Sequence, residues 1–427
     1  MLDLRMDVRQ LVLLIGHTLD LVGVDDFYHG RRVALLAVKL ARSLGWDQEA
    51  QGLIFEGGVL HDCGVSTTRE HQRLLGEIHW AGAQAHCRIG SDRLAGFAPL
   101  AHLAPLVRWH HTAWKELPAA GCPEAAAPRA NLLFLCDRID VLAARREATP
   151  ARPERIAEVR ALLGKHRGSS FKSEFVEAFL DQSTDPSFWS ELRSIEAIEA
   201  FPAAVPKAPQ GPTIDWPTFR QAAKLLQEIV DAKSPFTHEH SLGVARLAQA
   251  LAQHRGYDPD RCEMIETAGL LHDIGKMQVP DEILEAPRPL SHAEFDTMRA
   301  HSFATFDLLR SVEGLEEITR WASSHHEKLD GSGYPFGLAA EDLPTEARII
   351  AVADIYQALA QHRPYRGPLP SHQILAMLRQ MASEGAIDGT LVEQVALDLD
   401  ACHLAATGGS PAGAHPSSAS LGNALQR

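Results

Sequence analysis

Leu270–Leu284 reads LLHDIGKMQVPDEIL, and Leu60–Val65 reads LHDCGV. Each holds a His–Asp dyad with a glycine two residues on, His272–Asp273 with Gly275 and His61–Asp62 with Gly64. Working outward, His240 stands 32 residues before His272, and His29 stands 32 before His61. Each precedes an apolar run at helical spacing, VARLAQALA after His240 and VALLAVKLA after His29. Downstream, His301 precedes the pair His325–His326 by 24 residues, and His86 precedes His110–His111 by the same 24. An aspartate inside an apolar helical run follows each pair, Asp354 in IIAVADIY and Asp137 in LLFLCDRID. Chance can supply one such match; the whole set in one order predicts a duplicated helical domain.

The bulk numbers agree with two domains. A chain of 427 residues exceeds one compact domain, and 45% hydrophobic content is ample for two cores. Strand-like alternation is scarce. Val33–Leu44, Phe219–Ala232, Val244–His254, Phe295–Ser311 and Ala347–Ala360 instead repeat apolar residues at helical spacing, so the expected class is all-α. Phe201–Pro217 (FPAAVPKAPQGPTIDWP) reads as a Pro-rich linker, and the Gly-, Ser-, Pro- and Ala-rich tail from Ala406 as disordered. The expected organisation is a domain over 1–200, a linker over 201–217, a second domain over 218–405 and a tail over 406–427.

Cys63, Cys87, Cys122, Cys136, Cys262 and Cys402 are scattered without CxxC pairing, as reduced thiols of a cytosolic protein would be. The apolar run Leu11–Gly16 is flanked closely by Arg9, His17 and Asp20. It is too short for a membrane span or a signal peptide and reads as an amphipathic helix, so a soluble, cytoplasmic protein without a membrane partner is expected. A net charge of −14 argues against DNA or RNA polymers as partners. It leaves open a small phosphate ligand, because a metal pair or two arginines can overrule the global field.

Taken singly, each histidine reads as a surface or satisfied core residue; the ordered, repeated set reads as metal ligands. Adjacent helical residues project about 100° apart, so a His–Asp dyad can aim its imidazole at one ion while its carboxylate bridges to a second. Imidazoles and carboxylates with no required thiolate suit iron, manganese, nickel or cobalt. Asp354 among Ile349, Ile350, Val352 and Ile355 is costly unless paired or metal-bound. Ser291 and Glu294 have the spacing of a capping box opening the helix that carries His301. His254, His292 and His362 match nothing in the pattern and read as surface residues.

With LLHDIGKMQVPDEIL, HHEKLDGSGYPFGL (His325–Leu338), ARIIAVADIYQAL (Ala347–Leu359) and HRPYRG (His362–Gly367), residues from about Phe236 to Arg366 resemble the HD-GYP family. These are bacterial cyclic-dinucleotide phosphodiesterases, a branch of the HD phosphohydrolases. The N-terminal half resembles only the broader HD superfamily, and Phe171–Phe179 (FKSEFVEAF) is similar to the closing helix of an HD-GYP domain. The resemblance implies two divalent ions, iron or manganese foremost, with His240, His272, Asp273 and Asp354 around one. Asp273, His301, His325 and His326 would surround the other, with Asp273 bridging. Lys276 would neutralise phosphate or the leaving oxygen, and Tyr334, Arg363 and Arg366 would contact substrate; Glu327 would support the histidines. Asp273 and Lys276 are thus the expected catalytic residues.

Several positions depart from the family pattern. Glu285–Ala286 and Pro287–Arg288–Pro289 replace Asn-Lys and Pro-Gly-Pro, Gln357 replaces the second aspartate of Asp-x-x-Asp, and Ile387–Asp388–Gly389 replaces Phe-Asp-Pro. Phe236 stands where some members place a glutamate for a third metal, so two ions are expected. The N-terminal copy keeps His29, His61, Asp62, His86, His110, His111 and Asp137 as a second candidate metal site. It has Val65 in place of Lys276 and no GYP loop, which points to a metal-binding or vestigial regulatory domain.

The expected activity is hydrolysis of cyclic di-GMP to pGpG and/or GMP by a metal-activated hydroxide. The alternatives are hydrolysis of a mixed cyclic GMP–AMP dinucleotide, a non-catalytic cyclic-dinucleotide sensor, and a general HD nucleotide hydrolase. The resemblance is also compatible with a homodimer and with protein partners in cyclic di-GMP signalling.

Overall fold

The helices that meet at each dyad can approach only because one residue between them has no side chain. Gly269, three residues before His272, faces Ala245, and a Cβ there would fall 2.9 Å from the Ala245 Cα. Gly58, three residues before His61, faces Ala34 in the same way, at 2.7 Å from its Cα. The computed structural model in which these distances are measured describes residues 4, 6–22, 28–65, 67–76, 82–144, 153–206, 213–234, 239–362 and 366–408.

The chain divides into two compact units. The described residues of the first fall within Met1–Ser234, Ile274–Leu284 and Asp307–Glu316; those of the second fall within Pro235–Asp273, Glu285–Phe306 and Glu317–Arg427. Both are helical. The one named strand pair among the described residues is Met6–Asp7 against Thr213–Ile214, antiparallel. No helix among the described residues is long and apolar enough to cross a membrane.

In the first unit, helix His29–Ser43 packs against Gln48–Leu60 and Ala127–Ala144. Val33, Leu36, Ala37 and Leu40 recur at three and four, and all are fully buried. Asp47 caps Gln48–Leu60 by accepting the Ala50 N–H at 2.8 Å. The expected amphipathic N-terminal helix is Val8–Asp20, opened by a capping box between Asp7 and Gln10. Phe171, Phe175 and Phe179 are fully buried, the latter two one turn apart on helix Ser173–Gln182.

In the second unit, helix His240–His254 packs against Pro259–Leu271 and Thr345–Ala360, the same arrangement from the equivalent segments. Asp258 caps Pro259–Leu271 through the Arg261 N–H at 3.0 Å, as Asp47 does in the other copy. The expected capping box is present: Glu294 accepts the Ser291 N–H at 2.8 Å, opening helix His292–Leu309. His254, His292 and His362 are exposed.

Most described residues of the stretch read as a linker are built into the first unit. Phe201–Ala204 finish helix Ile195–Ala204, and the Arg9 guanidinium holds the carbonyls of Val205 at 2.7 Å and Pro206 at 2.8 Å. Pro217 lies in the first turn of helix Trp216–Asp231, where its missing N–H costs nothing, with Asp215 as the cap. Residues 207–212 lie outside the described residues. So does the expected disordered tail beyond Gly408, whereas Ala406 and Thr407 finish helix Leu399–Thr407.

The turn that follows the second dyad in sequence also belongs to the first unit. Buried Lys233 donates to the Met277 carbonyl at 2.9 Å and lies 3.6 Å from Asp281. Asp281 accepts the backbone N–H groups of Thr68 and Arg69, both at 3.1 Å. Lys276 sits in this segment, on the 3₁₀ turn Ile274–Gln278.

Because backbone atoms block the added methyl, Gly269→Ala and Gly58→Ala should each cost about 1–3 kcal/mol of stability. Thermal unfolding measures this; variants that melt with the wild type would contradict the close crossings.

Candidate metal centres

Each dyad carboxylate presents its two oxygens to two different sets of histidines. Asp273 Oδ2 lies 3.4 Å from His240 Nε2 and 3.2 Å from His272 Nε2. Its Oδ1 lies 3.3 Å from His301 Nε2 and 3.7 Å from His325 Nε2. In the N-terminal copy, Asp62 Oδ2 lies 3.8 Å from His29 Nε2 and 3.4 Å from His61 Nε2, while Oδ1 lies 3.4 Å from His86 and 3.6 Å from His110. The last residues complete the two sets: Asp354 Oδ1 is 3.1 Å from His240 Nε2, and Asp137 Oδ1 is 3.5 Å from His29 Nε2. Asp354 Oδ2 reaches towards His326 at 3.9 Å, and Asp137 Oδ2 towards His111 at 3.7 Å. All fourteen ligands proposed from the sequence therefore gather into two centres of seven, one per unit.

Backbone carbonyls fix five of these ten rings. Nδ1 of His272 lies 2.7 Å from the Gly269 carbonyl, that of His61 2.8 Å from Gly58, and those of His325 and His110 2.7 Å from Ala322 and Val107. With Nδ1–H donated, Nε2 is left as the lone-pair donor that a metal requires. His301 does the same to Met298 at 2.6 Å.

The donor set fits divalent ions on three grounds. Ligand atoms of His240, His272 and Asp273, of His301, His325 and His326, and of two matching N-terminal groups lie within 4.8 Å of one another. His240 Nε2, His272 Nε2, His61 Nε2 and Asp62 Oδ1 are buried without a hydrogen-bond partner, an arrangement that is costly unless a cation sits among them. Three of the imidazoles are held in the neutral form that ligation needs, whereas against the pull of burial Asp273 and Asp137 raise the pKa of His240 and His29, carboxylates that a cation would engage instead. Burial holds His61 neutral, with its pKa pushed down to about 4, and holds His325 and His111 well below the ordinary range. Burial opposes ionisation of Asp354 and Asp137. His240 and Arg138 respectively nonetheless keep them well below the usual carboxylate range.

Gln357, a departure from the family pattern, braces the first histidine, its Oε1 facing the Nδ1 of His240. The N-terminal copy uses a carboxylate there: Asp140 Oδ2 lies 2.7 Å from His29 Nδ1, and Arg32 pairs with Asp140. Asp140 escaped the sequence reading, although its spacing from Asp137 repeats that of Gln357 from Asp354. Arg138, which donates to Asp137 at 2.7 Å and to the Leu74 carbonyl at 3.1 Å, escaped too, because nothing at its counterpart Ile355 signals a cation. His71 gave no signal by spacing. It lines a cleft with Asp20, His29, His61 and Asp62, and Val65 takes part in that lining.

Among the described residues, the partners of the Glu327 carboxylate are backbone groups of the neighbouring loop. It accepts the backbone N–H groups of Phe336, Gly337 and Leu338 at 2.6, 3.1 and 2.9 Å and so holds the loop beside His326. Gly333 is required there, because a Cβ would meet the Glu327 Cα at 2.4 Å. The Tyr334 ring lies 4.8 Å from that of His326. Arg366 is placed at the end of helix Thr345–Ala360, donating to the carbonyls of Leu359 and Ala358, both at 2.9 Å. Arg363 and Phe236 lie outside the described residues. Ile387–Asp388–Gly389 retains a role through Asp388, which pairs with Arg348 at 3.1 Å and caps helix Gly389–Leu397.

Glu327→Ala would leave three loop N–H groups without their acceptor, at about 1–3 kcal/mol each. Amide hydrogen exchange at Phe336–Leu338 should accelerate by at least about tenfold; unchanged protection would contradict this role.

Comparisons with known proteins follow the same division. HD-domain family models match residues 26–145 and 224–391. The chain is 36% identical over 400 residues to a 3'3'-cGAMP-specific phosphodiesterase of Vibrio cholerae, covering 92% of each protein. It is 34% identical over 223 residues to a cyclic di-GMP phosphodiesterase of Pseudomonas aeruginosa, covering 51% of this chain and 49% of that one. A solved cyclic GMP-AMP specific phosphodiesterase of Vibrio cholerae shares the fold, with a TM-score of 0.65 at 22% identity over 92% of this chain and 98% of its own. This chain therefore belongs to the HD-GYP-type HD phosphohydrolases, the family of metal-dependent cyclic-dinucleotide phosphodiesterases.

Proposed function

We propose that the protein hydrolyses a guanine-containing cyclic dinucleotide at the C-terminal centre, with His240, His272, Asp273, His301, His325, His326 and Asp354 holding two divalent ions, iron or manganese. The observation that carries this reading is the shared carboxylate of Asp273, flanked by histidines 3.2–3.7 Å from both of its oxygens, with the loop of Tyr334 adjoining. When bound, such ions supply Lewis acidity towards the phosphoryl oxygens and a nucleophile at neutral pH. The chain's own residues would orient the ions, with backbone carbonyls turning the Nε2 atoms of His272, His301 and His325 inward, and bury the centre from water. In the reaction a water oxygen joins phosphorus, the bond from phosphorus to O3' breaks, and O3' takes a proton. The product is a linear dinucleotide with a 5'-phosphate. Lys276 is assigned to the phosphate or the leaving oxygen, Tyr334 to the substrate, and Arg363 and Arg366 to the second phosphate.

Between substrates, the mixed cyclic GMP–AMP dinucleotide is the reading we favour. The similarity to the cGAMP-specific enzyme runs through both units, whereas that to the cyclic di-GMP enzyme of Pseudomonas aeruginosa covers about half of the chain. Cyclic di-GMP, hydrolysed to pGpG and/or GMP, is the second reading, supported by the complete run from His325 to Leu338. The N-terminal centre is assigned as a second metal site, without a counterpart of Lys276 and with Arg138 already neutralising Asp137.

Anaerobically purified protein loaded with Fe(II) or Mn(II) should convert one or both cyclic dinucleotides to linear product. Chelation should abolish this, and His272→Ala should lower it at least about a hundredfold. His61→Ala should retain activity. Chromatography of the products decides the matter: absence of product from metal-loaded protein would overturn the hydrolase reading in favour of a sensor, and loss in His61→Ala alone would move catalysis to the N-terminal unit.

A further inference from the structure

Among the described residues of the C-terminal centre, His326 is the most exposed. The side chains of His240, His272, Asp273, His301 and His325 are at most 3% exposed and that of Asp354 is 10% exposed, whereas His326 is 27% exposed. Among the described residues, the approach for a substrate phosphate runs past His326, and the groups lining that approach are the ones placed to read the rest of the molecule.

Among the described residues, an aromatic surface with the Arg299 guanidinium set against it lies there. The His326 and Tyr334 ring centroids are 4.8 Å apart, and Phe295 meets Tyr334 edge-on at 6.4 Å. The Arg299 guanidinium carbon sits 4.9 Å from the Tyr334 centroid and 5.9 Å from that of Phe295. Phe295 and Arg299 are one turn apart on helix His292–Leu309, the helix that also supplies His301. Phe295 is 46% exposed, a large apolar side chain left in water beside a phosphate site. The Arg299 Nε is buried without a hydrogen-bond partner, and its guanidinium lies 3.8 Å from Asp296.

We propose that Phe295 and Arg299, with Tyr334, form the seat for the guanine base of the substrate; this rests on the phosphodiesterase reading above. A flat apolar ring in water is satisfied by stacking a base on it. Arginine has donors and no acceptor. Guanine offers N7 and O6 as a pair of acceptors, whereas adenine offers N7 beside an amino donor that would face the guanidinium. Arg299 is thereby a specificity-determining residue: it favours a ring containing at least one guanine over one containing only adenine. Phe303, on the same helix and 53% exposed, packs with Phe306 and Phe336 and lies outside the seat.

The test uses metal-loaded full-length protein with cyclic GMP–AMP, cyclic di-GMP and cyclic di-AMP, and with bis(p-nitrophenyl) phosphate, a phosphodiester that carries no base. Phe295→Ala should raise KM for the guanine-containing substrates about tenfold with kcat little changed, and Phe295→Trp should restore it. Arg299→Met should narrow the preference over cyclic di-AMP by about tenfold. Bis(p-nitrophenyl) phosphate turnover, metal content and the kinetics of Phe303→Ala should stay at wild-type values. An unchanged KM in Phe295→Ala, or an equal loss on the base-free substrate, would overturn the seat. Wild-type protein that cleaves bis(p-nitrophenyl) phosphate but no cyclic dinucleotide would overturn the functional reading instead. Calorimetric binding of cyclic di-GMP would then judge the seat, an unchanged Kd in Phe295→Ala counting against it.

Discussion

A single buried carboxylate shared between two groups of imidazoles is the constraint on which each unit is organised. Asp273 and the ligands around it are almost wholly removed from water. Carboxylates and imidazole lone pairs held at 3–4 Å in such a place are costly to assemble without a cation between them. The helices must therefore converge on one point rather than pack along a broad seam. Short residues follow from that demand: Gly269 and Gly58 let the helices touch, and the same two residues offer their carbonyls to the dyad histidines.

The two units answer the constraint with the same skeleton and different electrostatics. In the C-terminal unit the amide of Gln357 meets His240 and a neutral isoleucine follows Asp354, leaving the cation demand to metal. In the N-terminal unit Asp140 meets His29, Arg32 balances Asp140, and Arg138 binds Asp137 directly. That unit carries more built-in charge of both signs and also lacks the Glu327-braced loop. The two units thus share one ligand pattern and differ in the charges placed around it.

Much of this was legible in the sequence because metal ligation demands particular residue types at positions fixed by helix geometry. The duplicated spacings, the all-α class and the convergence of the seven ligands in each half could be read from the spacing of the histidines and aspartates. What could not be read depends on contacts between distant elements. Arg138 looks like any helical arginine until its partner is seen, and the grip of Glu327 on Phe336–Leu338 depends on a loop fold that leaves no periodic trace. The Pro-rich stretch misled for a related reason. Pro217 signals a break in composition, yet at the first turn of a helix it is a start. Lys233 and Asp281, far apart in sequence, tie the turn after the second dyad into the first unit without any local signature.

Whether two ions share the Asp273 carboxylate is decided by anomalous scattering from Mn(II)-loaded crystals. The account predicts two peaks in the C-terminal unit, one on each side of the Asp273 carboxylate, near His240 and His272 and near His301 and His325 respectively. A single peak there, or two of which one makes no contact with Asp273, would contradict it.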